Sequence, residues 1–479
     1  MQRKFVHNLL FILFVNLLVK PFWILGIDVS VQNTVGAEEY GLYYQVFSFS
    51  ILLNIILDFG ITNYNNRNIA QHSHMLQRYF SGVFNVKLLL GVVYMLATML
   101  GAFLIGLEHK AVYLLFILGI NQFLASMILY LRSNFSGLHL FKLDGVFSVL
   151  DRLLMIIICG YLLWGNHQIG QFKIEWFVYA QFAAYFTTAL VSFIVVYSKA
   201  KSFKFRIDLP LFRLILKESL PFALLVLLMS FYYRLDSVMV GELYSNGKAE
   251  VGIYAQAYRI MEAFNMFGYM FAGLLLPIFA RMIKENQEVS KLVNTAFNLI
   301  FLPSVGVAII SWYYSTDLME LLYDHHISES AEVFPVLMLS FVAIALTYVY
   351  GTLLTANGSL KELNYIALAG LVINFSLNFI LIPKSGAFGA AIATLVTQTI
   401  VILTQIILSK KVFEMGYSFN YILKTMLIVI IGLIGAAFLV KFQLNLFLFS
   451  VIIFFFFGLA ALTLGLVKIE DFRKLISKQ

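Results

Sequence analysis

The segment EYGLYYQ, residues 39–45, returns as EVGIYAQ at residues 250–256, with Glu, Gly, Tyr and Gln in register. Each copy precedes a long apolar run, and six such runs separate the two copies. An even number of membrane crossings gives both copies the same orientation, which is typical of a parallel internal repeat. The repeat therefore predicts two similar six-helix lobes related by an axis along the membrane normal.

The composition of the chain excludes a soluble enzyme, a secreted disulfide scaffold and a nucleic-acid-binding domain. Of its 479 residues, 61% are hydrophobic and 12% are charged, against about half and about a quarter in soluble domains. Windows of about 20 apolar residues predict transmembrane helices. About fourteen are expected, with these approximate bounds: 5–27, 41–63, 80–106, 111–131, 146–164, 176–198, 214–240, 252–280, 293–313, 333–356, 364–382, 387–409, 421–440 and 444–467. The fold class predicted is an all-α polytopic membrane protein.

The distribution of basic residues fixes the orientation of these spans. With a cytoplasmic N-terminus, 24 of the 33 Lys and Arg residues fall on the inner side and 5 on the outer side. Because cytoplasmic loops carry the excess of basic residues, we expect both termini in the cytoplasm. The linker 199–219 alternates basic and apolar residues and is expected to lie against anionic headgroups. The predicted organisation is an N-lobe (1–205), a C-lobe (206–415) and an additional helix pair (416–479).

Several motifs give the chain a family resemblance. In chain order they are VGAEEYGLYYQVFSF (35–49), DFGI (58–61), NRNIA (66–70), RLDSVMVG (234–241), EVGIYAQAYRIMEA (250–263) and NFSLNFILIPKSGAFGAAIAT (374–394). Together they resemble the polysaccharide-transport proteins, Wzx-type flippases of O-antigen and capsule repeat units. These belong to the multidrug/oligosaccharidyl-lipid/polysaccharide (MOP) exporter superfamily.

The resemblance implies two six-helix bundles around a central cavity, alternating access, and a polyprenyl-diphosphate-linked oligosaccharide as cargo. It further implies a multi-pass protein of the bacterial inner (plasma) membrane, with membrane lipids and the polysaccharide polymerase machinery as partners. The identity of the glycan does not follow from the motifs.

Seven ionisable residues fall within the predicted spans, where charge is costly and usually faces a cavity or a partner. The outer half of the membrane is expected to contain five of them: Lys20, Arg234, Asp236, Arg259 and Glu262. The inner half is expected to contain the other two, Asp58 and Lys87. Arg259 and Glu262 are three residues apart and can pair on one helical face. Arg234 and Asp236 point in different directions, so one of them is expected to have its partner on another helix.

The three cations Lys20, Arg234 and Arg259 are candidates for holding a diphosphate or an acidic sugar in a water-filled cavity. Arginine suits phosphate because its planar donors bind bidentately. The alternative is that these residues form structural ion pairs near helix ends, with long basic side chains reaching the interface.

The acidic and aromatic candidates have other roles. Asp236, Glu262 and Asp58 are candidates for binding a coupling proton or sodium ion, although Asp58 also suits a structural role. Tyr232 and Tyr233 are candidates for stacking on sugar rings, and a place in the interfacial aromatic belt is the alternative.

Three functions fit the sequence to different degrees. The leading hypothesis is an ion-coupled flippase that moves lipid-linked oligosaccharide from the cytoplasmic to the outer leaflet. An exporter of small cationic compounds, similar to the MATE transporters, would need a predominantly acidic cavity. A membrane glycan polymerase or glycosyltransferase would need a large loop or an acidic catalytic pair. Because no zinc-binding, P-loop or nucleophile pattern is present, we expect a secondary transporter rather than an enzyme, with no metal, no cofactor and no nucleic-acid partner.

Overall fold

The computed structural model describes residues 16, 18–72, 76–138, 140–165, 171–201, 203, 205, 209–416 and 419–466. These residues are predominantly helical and contain no β-strand. The start of the first predicted span (5–15), five residues of the linker 199–219 (202, 204 and 206–208) and the basic C-terminal segment (467–479) lie outside the described residues. The chain divides into two compact units, Met1–Gly252 and Ile253–Gln479.

Unit 1 begins with a helical segment at 18–22 and a π-helical turn at Trp23–Asp28. Eight α-helices follow: α1 (Val29–Leu52), α2 (Ile61–Gln71), α3 (Leu76–Ile105), α4 (His109–Gly137), α5 (Phe141–Phe147), α6 (Leu150–Gly160), α7 (Ile174–Ala200) and α8 (Leu209–Leu243). The first residues of α9 (Gly247–Lys284) complete the unit.

Unit 2 contains the rest of α9 and six further helices. They are α10 (Ser290–Tyr313), α11 (Ser315–Leu322), α12 (Ile327–Ala356), α13 (Leu360–Val412), α14 (Phe419–Leu439) and α15 (Leu446–Thr463).

Eleven helices among the described residues are long and apolar enough to cross a membrane. One of them, α13, has 53 residues and would extend about 80 Å if straight, whereas the hydrocarbon core is roughly 30 Å thick. Gly386, with φ 51° and ψ −128°, interrupts it. The interruption lies between the predicted spans 364–382 and 387–409, so this pair of spans is confirmed.

The loop predicted after the first span is wrong. Helical structure runs from residue 18 to Leu52 and is interrupted at Gly36, where φ is 82°. The connection is thus a tight turn at a glycine, which adopts positive φ without strain, and the first span continues to about residue 35. The hydropathy pattern ended this span at Ile27 because Asp28 follows, but Asp28 is only 2% exposed.

The second predicted span, 41–63, is interrupted as well. Helix α1 ends at Leu52, a 3₁₀ turn covers Asn54–Leu57, and α2 begins only at Ile61. Phe59 and Gly60, just before α2, have φ values of 43° and 78°. The chain therefore carries non-helical backbone where the sequence predicted a continuous helix.

The two glycines of the internal repeat explain how α1 and the start of α9 pack. A Cβ on Gly41 would lie 1.8 Å from the Lys248 carbonyl oxygen, and one on Gly252 would lie 2.2 Å from the Ala37 carbonyl oxygen. The Gln32 side chain also donates to the Gly252 carbonyl at 3.0 Å. The two helices approach backbone to backbone, which small residues permit in membrane helices. These contacts do not test the lobe boundaries predicted from the repeat, which stay predictions.

We expect Gly41→Ala to lower the melting temperature of the detergent-purified protein. The added methyl group must displace backbone rather than a flexible side chain, and overpacking of this kind costs about 1–3 kcal/mol or more. Gly273→Ala is the matched control, because a Cβ there meets no atom within 4 Å and alanine favours a helix over glycine. A melting temperature for Gly41→Ala equal to that of the wild type would contradict the close approach.

Candidate functional site

Arg234 joins α8 to α1. Its Nη1 donates to the Tyr44 hydroxyl at 3.2 Å, and its guanidinium carbon lies 5.7 Å from the centre of the Phe47 ring. The side chain is half-buried. The expectation that one member of the Arg234–Asp236 pair has its partner on another helix is therefore confirmed.

The neighbours of Arg234 on α8 are more deeply buried. Asp236 is 0% exposed and Tyr232 is 2% exposed. The rings of Tyr232 and Tyr233 are 4.7 Å apart, centre to centre, and Tyr233 is half-buried. The burial of Tyr232 argues against a place for this residue in a lipid-facing aromatic belt.

Arg259 and Glu262 form the ion pair that their spacing predicts, on α9 within unit 2. Arg259 Nη1 lies 2.8 Å from Glu262 Oε2, and both side chains are largely buried. One turn earlier, the Gln256 side chain donates to the His325 carbonyl at 3.1 Å, and the Gln256 carbonyl accepts from the Tyr323 hydroxyl at 3.0 Å. The segment that carries Arg259 is thus bonded to the loop before α12.

Asp58 and Lys87 form an ion pair beside the interrupted second span, in which Lys87 is buried and Asp58 is half-buried. Lys87 is 1% exposed, and its Nζ lies 2.8 Å from Asp58 Oδ1, 2.6 Å from Ser126 Oγ and 3.1 Å from the Ser126 carbonyl oxygen. Ser126 Oγ also donates to the Leu57 carbonyl at 3.1 Å, and the Thr62 hydroxyl donates to Asp58. These bonds fill the coordination of the ammonium group and favour a structural role for the pair.

Sequence reasoning missed Asp28, because it placed this residue in a loop. Both Asp28 and Tyr40 are buried, and the Tyr40 hydroxyl donates to Asp28 Oδ2 at 2.7 Å across the turn at Gly36. The signal that could have found this pair is Gly36 itself, since a glycine between two apolar runs suits a tight turn better than a long loop.

Sequence reasoning also missed Arg152, which the count of basic residues assigned to the inner side. Arg152 lies on α6, where its Nη1 donates to the Tyr185 hydroxyl at 2.9 Å. Its guanidinium lies 5.7 Å from the Trp23 ring and 5.6 Å from the Tyr185 ring, and Asp151 Oδ2 is 3.8 Å from its Nε. Lys20 interacts electrostatically with both Arg152 and Asp151.

The depth predicted for Lys20 is wrong, because the first helix is longer than expected. Lys20 lies 16 residues before the turn at Gly36, which is about 24 Å at 1.5 Å per residue. In the predicted orientation this places Lys20 in the inner half of the membrane, near Arg152, and not in the outer half.

Two family models match the sequence. One, MatE, matches residues 221–380, and the other, described as polysaccharide biosynthesis protein, matches residues 5–283, more than half of the chain. The chain belongs to the polysaccharide biosynthesis protein family. No curated protein sequence matches the chain.

Solved structures share the fold of this polysaccharide biosynthesis protein. The lipid II flippase MurJ, in an inward closed conformation, has a TM-score of 0.71 at 16% identity, covering 95% of this chain and 97% of that chain. An inward-facing multidrug resistance MATE family transporter of the MOP superfamily has a TM-score of 0.63 at 16% identity, covering 82% and 94%. A MOP superfamily transporter from Pyrococcus furiosus has a TM-score of 0.55 at 14% identity, covering 85% and 93%.

The family and fold matches together confirm two predictions. The protein is an all-α polytopic membrane protein, and it belongs to the MOP superfamily. At these identities the structural likeness shows the fold alone, so membership of the Wzx-type subfamily stays a prediction, as do the roles of the candidate site residues.

We expect Lys87→Met to destabilise the protein. The substitution leaves the Asp58 carboxylate, which is 30% exposed, without its cation, and a partly buried polar group that loses its partner costs about 1–3 kcal/mol. The double variant Lys87→Met/Asp58→Asn should recover part of the loss, since it leaves no buried charge unpaired. Thermal unfolding in detergent measures both effects.

The control for this comparison is Arg281→Met. Arg281 and Glu285 form a 2.8 Å ion pair that is largely exposed, and exposed pairs contribute little to stability. If Lys87→Met unfolds at the same temperature as Arg281→Met, the Lys87–Asp58 pair does not stabilise the interrupted second span.

Proposed function

We propose that the protein is a flippase that moves polyprenyl-diphosphate-linked oligosaccharide repeat units from the cytoplasmic to the outer leaflet by alternating access. The observation that carries the proposal is the match to the polysaccharide biosynthesis protein family over residues 5–283. The fold shared with a lipid II flippase supports it. The product would feed surface polysaccharide synthesis, such as O-antigen or capsule, in the bacterial inner membrane, where polymerase machinery would use it.

Arg234 has the chemistry to hold the diphosphate of such a cargo. The Tyr44 hydroxyl accepts a hydrogen bond from Arg234 Nη1 at 3.2 Å and so helps to orient the guanidinium. The Phe47 ring beside it adds a cation–π contact. A guanidinium oriented in this way presents planar donors that suit phosphate oxygens.

Arg259 lies beside an acidic partner, with its Nη1 2.8 Å from Glu262 Oε2. A proton bound to Glu262 would neutralise the carboxylate and release Arg259 to bind an anion. Glu262 is therefore our proposed proton carrier, and binding of the cargo would be linked to protonation through this pair. Asp236, fully buried on α8, is the second candidate for the coupling ion, either a proton or sodium.

Transfer can be tested with purified protein in liposomes that contain a fluorescent polyprenyl-diphosphate oligosaccharide. The fraction of labelled glycan accessible to an external lectin should rise with time only when the protein is present. Export of a cationic dye without any transfer of lipid-linked glycan would overturn the proposal and favour the cationic-compound exporter.

We expect Arg234→Ala and Arg259→Ala each to reduce the transfer rate at least tenfold while the protein remains folded in the membrane. Arg234→Lys should recover only part of the rate, because lysine retains the charge but not the planar donors. Arg281→Ala, at the exposed pair with Glu285, is the matched control and should transfer at the wild-type rate. Wild-type transfer by both alanine variants at 234 and 259 would contradict their assignment to cargo binding.

We expect Glu262→Gln to uncouple transfer from a proton gradient. Glutamine imitates the protonated carboxylate and cannot release a proton, so downhill transfer should continue but should no longer accelerate when a pH gradient is imposed. The measurement compares transfer rates with and without the gradient in wild type and variant. An unchanged acceleration would show that another group, such as Asp236, carries the coupling ion.

A further inference from the structure

Lys20 is a half-buried cation with neither an ion pair nor a hydrogen bond among the residues that the structure describes. The helical segment around Lys20 packs against the start of α6: Asn16 Nδ2, four residues earlier, donates to Ser148 Oγ at 2.8 Å, and the Trp23 ring, three residues later, lies 5.7 Å from the Arg152 guanidinium. The charged neighbours of Lys20 are Arg152 and Arg132, which repel it, and Asp151, which attracts it. Arg132 is already paired with Asp144 at 2.8 Å. The cluster around Lys20 therefore retains about one positive charge that no described side chain balances.

Arg152 is held in one orientation beside Lys20. The Tyr185 hydroxyl accepts from its Nη1 at 2.9 Å, and the buried rings of Trp23 and Tyr185 lie within 6 Å of its guanidinium carbon. Asp151 lies 3.8 Å from Nε, beyond hydrogen-bonding distance. An oriented guanidinium beside an unpaired ammonium is an arrangement that suits an oxyanion, because the first binds bidentately and the second adds a compact charge.

The cluster formed by Lys20, Arg152, Arg132 and Asp151 lies farther from the turn at Gly36 than the Arg234 site does. Lys20 is 16 residues from the turn at Gly36, whereas Tyr44, the partner of Arg234, is 8 residues from it. At 1.5 Å per residue these separations are about 24 Å and 12 Å, so the two sites differ in depth by about 12 Å. A single diphosphate group is too short to occupy both sites at once.

We propose that Lys20 and Arg152 form a second anion subsite in unit 1, which binds a carboxylate of an acidic sugar in the cargo glycan. The inference rests on the proposed function, in which Arg234 binds the diphosphate. The excess charge of about one matches a singly charged carboxylate better than a phosphate, and the separation between the sites suits two different anionic groups of one cargo. The subsite would thus select acidic over neutral repeat units.

The experiment compares two cargoes on the same polyprenyl diphosphate, one with a hexuronic acid in the glycan and one with the corresponding neutral hexose. We expect Lys20→Met and Arg152→Met to reduce transfer of the acidic cargo at least tenfold and to leave transfer of the neutral cargo unchanged. Lys20→Arg should preserve transfer of the acidic cargo, because it keeps the charge. Lys173→Met, at an exposed lysine of unit 1, is the control for loss of one positive charge.

The neutral cargo also shows whether each variant is folded. Equal losses for both cargoes by a variant that still elutes as a single species in detergent would overturn the assignment to a sugar carboxylate, because the diphosphate is common to both. Unchanged transfer of both cargoes would overturn the subsite itself. Failure of the wild type to move either cargo would instead refute the proposed flippase function.

Discussion

A charged side chain inside a membrane needs a counter-charge, a set of hydrogen bonds or contact with water, and this requirement governs how the described helices of the protein are arranged. Lys87 meets it completely, with one carboxylate, one hydroxyl and one carbonyl as acceptors. Arg259 forms an ion pair with the Glu262 carboxylate one turn away. Three acceptors around the Lys87 ammonium favour a structural role for the first pair. The coupling role proposed for the second pair depends on protonation of Glu262.

The same requirement applies to the backbone, whose N–H and C=O groups have no water to bind within the hydrocarbon core. The break in the second span, before α2, meets it through side chains. Ser126 donates to the Leu57 carbonyl at the break and accepts from Lys87. The Lys87–Asp58 ion pair therefore supports the interrupted helix, because Lys87 orients the Ser126 hydroxyl that donates to the Leu57 carbonyl.

The sequence predicted the parts of the structure that depend on local pattern. The apolar windows predicted a polytopic helical protein correctly, and eleven described helices are long and apolar enough to cross a membrane, because hydropathy depends on composition alone. The Arg259–Glu262 pair follows from its spacing on one helix. The prediction of the first loop failed because hydropathy counts the Asp28 carboxylate as polar, although Tyr40 satisfies it from across the turn. Arg152 was missed as a candidate site residue because its partners, Trp23 and Tyr185, come from distant parts of the chain. A contact between distant segments leaves no periodicity that a single sequence can show.

Lys20 and Lys87 are the same residue type, both on membrane helices of unit 1, yet their surroundings differ. Lys87 is enclosed by three acceptors, whereas Lys20 has no ion pair or hydrogen bond with any described residue and lies beside two arginines. An ammonium without partners at membrane depth is destabilising, and methionine at that position would remove the penalty. The anion subsite proposed at Lys20 and Arg152 would supply a partner for this ammonium during part of the transport cycle.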